Sequence, residues 1–276
     1  MGTLRSIGKT FTIVIALAFC LLSLGFLSTP ALGSNSATHG GLAENTLRND
    51  FFVAGAMLAD LDHFLPPGVP QTDTPAFTAG LIERAKSGLN NLRYFAMGWL
   101  EHLEQDDEYL VSVANIQTVY PSYTANDVRL AFDYLTVTQH PTYVNVTFVN
   151  SHDYIVDAIA AGFTNITSAQ VRQAIWDFVF SDNIENPGLN LQVQAAQIYA
   201  ALYPDRVANM ASEYDSYYQR TTLTYQNPFL GYFYRRVSPA MIDDMRRDNW
   251  PEPKQAVQPV APEHVDFLPR SVAFRL

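Results

Sequence analysis

Residues 90–116, NNLRYFAMGWLEHLEQDDEYLVSVANI, carry the longest uninterrupted helical pattern in the chain. Apolar residues recur at three- and four-residue intervals with no Pro to break them. Within this stretch His102 and Asp106 stand four apart, so a helix brings both side chains onto one face. Glu101, Glu104, Asp106, Asp107 and Glu108 crowd the same segment, and such a run of carboxylates ordinarily faces solvent. Helical geometry divides them. His102 and Asp106 share a face with Trp99, Leu103 and Leu110, whereas Glu101, Glu104 and Glu108 are expected to point outward. Read alone, the pair is either half of a metal site or the wet face of an acidic helix.

The segments on either side extend the helical reading. Residues 38–65 read as one helix that opens at Thr38 and ends before the breaker PPGVPQTD of 66–73. Residues 74–89 begin with Thr74 and Pro75 in the cap and first-turn positions and end near Gly88. A further helix is expected over 124–138. In 140–162 a β-branched, alternating half precedes a helix capped by Ser151 and ended by Gly162. Two or three more helices follow as far as residue 225. The whole predicts an all-α fold of about ten helices in a single domain spanning 34–250, followed by a proline-rich, extended tail at 251–276.

The first 33 residues read differently. Arg5 and Lys9 precede the uncharged apolar run 11–27, and STPALG ends in small residues. That order is expected of a signal peptide cut after Gly33, which makes the protein secreted or periplasmic; the alternative is an anchor retained through residues 11–27. The only cysteine, Cys20, lies in that segment. A metal site in the remainder must therefore use His, Asp and Glu, and no disulfide framework is expected. A net charge of −10 and a pI near 4.9 argue against stable nucleic-acid binding by bulk electrostatics.

All six histidines lie beyond residue 33: His39, His63, His102, His140, His152 and His264. Asp60 sits in an apolar run, where a carboxylate is costly unless paired. Asp62 and His63 read as support for a site or as the start of a loop. Asp73, just before Thr74-Pro75, could be a helix cap. The Tyr- and Phe-rich stretch 213–236 reads as a packing seam, with a lipid-facing surface as the alternative.

Four pieces in order carry a resemblance: THGGLAENTL, FFVAGAMLADL, DTPAFTAGLIERA and MGWLEHLEQD. Together they resemble the zinc-dependent phospholipase C family, whose helical fold is shared by related single-strand nucleases. The resemblance covers about Thr38 to Asp157. It implies a secreted hydrolase that cleaves a phospholipid or related phosphodiester, with up to three Zn2+ ions and contact with a membrane surface. It maps metal ligands onto His39, Asp60, His102 and Asp106, and makes Asp60 the candidate for a ligand or for the catalytic base. The family's histidine before its [ST]-x2-F motif is Asp73 here, which would replace a nitrogen donor by a carboxylate. A later ligand pair falls on His152 or Asp153, where the spacing departs from the family's. These departures leave a second expectation open: a helical scaffold or binding protein that kept the fold with a degenerate site.

Overall fold

The computed structural model describes residues 36–142, 144–182 and 191–223, all of which belong to one compact unit. The signal peptide and the proline-rich tail expected from the sequence lie outside the described residues. Among those described there are nine α-helices and two 3-10 turns and no strand, so the fold is all-α. The helices are α1 (Ser36–Thr46), α2 (Asp50–Met57), α3 (Pro75–Lys86), α4 (Asn90–Val119), α5 (Ala125–Gln139), α6 (Asp153–Ala160), α7 (Ser168–Asp182), α8 (Leu191–Leu202) and α9 (Pro204–Leu223). The 3-10 turns are Leu61–Phe64 and Val146–Ser151. No described helix is long and apolar enough to cross a membrane.

Local chemistry explains several boundaries. The single helix expected over 38–65 is broken in two, because the Asn49 side chain caps a new start by accepting from Phe52 N at 3.1 Å. Thr38 is consequently not a cap but a residue inside α1, where its hydroxyl donates to Asp133 Oδ1 on α5 at 2.7 Å. Thr74 caps α3 with Pro75 in its first turn, as its sequence predicts. Thr124 and Asp127 close a reciprocal capping box at the start of α5. The alternating residues before α6 form a 3-10 turn rather than a strand, having no partner to pair with among the described residues. Ser151 ends that turn, and His152, not Ser151, occupies the cap position of α6.

The 30-residue α4 is the central element. It meets α2 in the most extensive helix contact of the described residues. Glycines make the approach possible: a Cβ at Gly98 would overlap the Phe52 carbonyl, and one at Gly55 would overlap that of Phe95. Two apolar clusters lie along α4. One gathers Phe52, Phe95, Trp99 and Phe178 from α2, α4 and α7, and the other gathers Tyr109, Phe132, Tyr214 and Tyr217 from α4, α5 and α9. Residues 101–108 lie between them. This burial corrects the expectation for the acidic run, because Glu101, Glu104 and Glu108 are all buried. Glu108 is matched there by Arg220 of α9, whose Nε lies 2.5 Å from its carboxylate. Tyr214 and Tyr217 are core residues, so that part of the aromatic stretch is a packing seam.

Candidate metal centre

Four of the seven residues expected to ligate metal converge where α1, α4 and the end of α2 meet. His102 and Asp106 come from successive turns of α4, and His39 from α1. Asp60 comes from the turn beyond α2, not from inside a helix as its apolar surroundings suggested. His102 Nε2 is 3.3 Å from Asp60 Oδ1 and 3.2 Å from Asp106 Oδ2. His39 Nε2 is 3.5 Å from the other oxygen of Asp106. The two imidazoles stack, with centroids 3.9 Å apart and planes 28° from parallel. Both histidines are fully buried, whereas the Asp60 side chain keeps 30% of its surface open to solvent.

The hydrogen bonds on the far side of each ring decide what the near side offers. His102 Nδ1 lies 2.9 Å from the carbonyl of Ala56, which can only accept, so Nδ1 carries a proton and donates. His39 Nδ1 lies 2.6 Å from Gln105 Oε1. The two Nε2 atoms and Asp106 Oδ1 are buried without any hydrogen bond of acceptable geometry. Polar atoms in that position are costly unless something else engages them. One ligand atom each from His39, Asp60 and His102 falls within 4.8 Å of the others, so this buried group could hold a metal ion.

The electrostatics are divided between the two rings. Burial pulls the pKa of His102 down, but the carboxylates of Asp60 and Asp106 outweigh it and hold the group well above its ordinary value. Burial and the neighbouring His102 push His39 down, so it remains neutral. Burial of Asp60 opposes ionisation, but His102 overcomes this and draws its carboxyl down to about 2.

Asp73 stands beside this group rather than within it. Thr74 takes the cap of α3, so Asp73 is not the helix cap. Its neighbour Thr72 is buried and pinned from three directions. The Thr72 hydroxyl has two acceptors in reach of its single hydrogen, the carbonyl of Ala59 and Asp62 Oδ1 at 2.7 Å, and Trp99 Nε1 donates to the Thr72 carbonyl at 2.9 Å. Asp73 is thereby tied next to Asp60 on one side and to the helix of His102 on the other. Burial raises its pKa, as do the charges of Asp60 and Asp62. Asp62, in the 3-10 turn that follows Asp60, holds Thr72 through its carboxylate.

His152 and Asp153 do not join the group. The His152 ring sits edge-on to Phe51 at 4.9 Å, and its Nδ1 is 2.9 Å from the Phe148 carbonyl. Asp153 is largely exposed and pairs with Arg172. Sequence reasoning passed over Gln105 and expected Glu101 to point outward. Their i,i+4 spacing repeats that of His102 and Asp106 one residue earlier, and this was the available signal. Comparison with protein-family models, with curated proteins and with solved structures returns no match.

Proposed function

We propose that the protein is a secreted, zinc-dependent phosphodiesterase of the phospholipase C type, acting on a phospholipid or related phosphodiester at one metal centre. The observation that carries this reading is the spacing of the donors. The 3.3 Å between His102 Nε2 and Asp60 Oδ1 and the 3.5 Å between His39 Nε2 and Asp106 Oδ1 match the donor–donor distance of about 3.4 Å around a tetrahedral ion with ligands about 2.1 Å away. The orphaned Nε2 atoms and Asp106 Oδ1 are the atoms such an ion would engage.

When bound, a divalent ion supplies Lewis acidity toward a phosphoryl oxygen and toward an attacking water. His39 presents an Nε2 lone pair, His102 would present one once its Nε2 proton is displaced, and Asp106 offers one oxygen to each ring's side of the centre. Asp60 is better suited to ligation than to general-base catalysis, since a carboxyl near 2 is a weak base. Asp73, displaced in the opposite direction, is the better proton acceptor of the two. The separate engagements of His152 and Asp153 support one centre rather than three, and they equally support a scaffold that kept the fold without turnover.

Elemental analysis of the purified protein, with and without His102→Ala, tests the metal reading. Absence of bound zinc, together with unchanged stability in the variant, defeats it. Hydrolysis of phosphatidylcholine, p-nitrophenylphosphorylcholine or single-stranded DNA with added zinc separates enzyme from scaffold: bound metal without turnover favours the scaffold.

A further inference from the structure

We infer that Glu101 and Gln105 are positioning residues that select which nitrogen of His39 faces the centre. Glu101 is fully buried on α4. Its Oε1 accepts from Gln105 Nε2 at 3.0 Å, and the Thr46 hydroxyl of α1, 3.0 Å from the Leu42 carbonyl, lies 3.4 Å from the same oxygen. A carboxylate can only accept, so the end of Gln105 turned toward it must be the NH2 group. The other end, the carbonyl oxygen, therefore faces His39 Nδ1 at 2.6 Å and requires a proton there. The relay leaves Nε2 as a lone pair aimed at the centre.

The surroundings favour the opposite arrangement. With Asp106 Oδ1 3.5 Å from Nε2, a neutral His39 left to itself would place its proton on Nε2 and donate to that carboxylate. That tautomer cannot ligate through Nε2. Turning the Gln105 amide over would permit it, but two N–H groups cannot be replaced by a carbonyl oxygen opposite the Glu101 carboxylate without repulsion. Glu101 thus fixes Gln105, and Gln105 fixes His39. Supports of this kind are worth about 10–100-fold in metal affinity.

This inference rests on the metal reading above, but its test stands apart from it. Long-range proton–nitrogen NMR on the metal-free full chain, above the ordinary imidazole pKa of about 6.5, reports which nitrogen of His39 is protonated. The wild type is expected to carry the proton on Nδ1. Glu101→Gln leaves the amide orientation unspecified, and Gln105→Leu removes the acceptor; both are expected to move the proton toward Nε2. Zinc affinity by calorimetry is expected to fall about 10–100-fold in each. Thr46→Val, which removes only the hydroxyl 3.4 Å from Glu101, shifts both readouts less, and Gln105→Leu serves if Glu101→Gln does not fold. A merely structural role would lower the thermal midpoint while leaving tautomer and affinity unchanged, and that result overturns the relay. A wild type that binds no zinc defeats the metal reading, while the tautomer measurement still decides this one.

Discussion

Gly98→Ala is the perturbation in which fold and site are most directly coupled. A Cβ at position 98 lies 2.8 Å from the Phe52 carbonyl carbon, closer still to its oxygen, and 3.0 Å from Ala56 N. Ordinary contact needs about 3.5 Å, so α2 and α4 must part by more than ~0.7 Å. The obstacle is backbone on both sides, so no rotamer change relieves it. Overpacking of this kind costs about 3 kcal/mol, at the upper end of its usual range. Better helix propensity returns about 1 kcal/mol. The net expectation is a loss of about 2 kcal/mol, or ~4–8 °C in thermal midpoint for a domain of this size. Because Ala56 also holds His102 Nδ1, the same shift should weaken divalent-ion binding. Gly80→Ala is the control: its Cβ meets only the flexible end of Arg84 at 3.2 Å, and the variant should be neutral or stabilised by up to ~1 kcal/mol. Thermal and urea unfolding of the pair decide the matter. Equal stability of the two variants would refute the close-packing argument.

Two further outcomes follow from the charged groups. His102 is raised and His39 lowered, so zinc uptake near neutral pH should displace about one proton per ion, from His102 alone. Log affinity should then rise by about one unit per pH unit until the raised His102 value is passed. In the metal-free protein the stabilising contribution of His102 is fully present below the ordinary value of about 6.5 and is lost as pH climbs through its raised value. Calorimetry in buffers of differing ionisation heat measures the proton count, and uptake without proton release contradicts the assignment. At the other end of α4, Arg220 contacts Glu108, Ser112 at 2.6 Å and Glu213 at 3.0 Å. Arg220→Ala leaves the buried Glu108 without that partner and should cost about 2–3 kcal/mol in urea unfolding. A loss below ~0.5 kcal/mol would place α9 under other control.

The helical class was legible because apolar spacing and caps are local. Thr74-Pro75 and the long run of 90–116 needed no tertiary information. Asn49 shows where that reading stopped, since the apolar period of 38–65 continues through the residue that ends one helix and caps the next. The acidic run shows a deeper limit. Spacing turned Glu101, Glu104 and Glu108 away from His102 and Asp106, but a helix wedged between two cores buries both sets, and only its neighbours decide that. Resemblance and spacing together singled out His39, Asp60, His102 and Asp106, whereas the same reasoning at His152 and Asp153 met Phe51 and Arg172 instead. The amino-acid sequence determined which residues could donate to an ion. The tertiary structure decided which of them meet, because Asp60 finds His102, and Asp106 finds His39, only through packing between segments far apart in the chain, and it decided which nitrogen each histidine turns toward the centre.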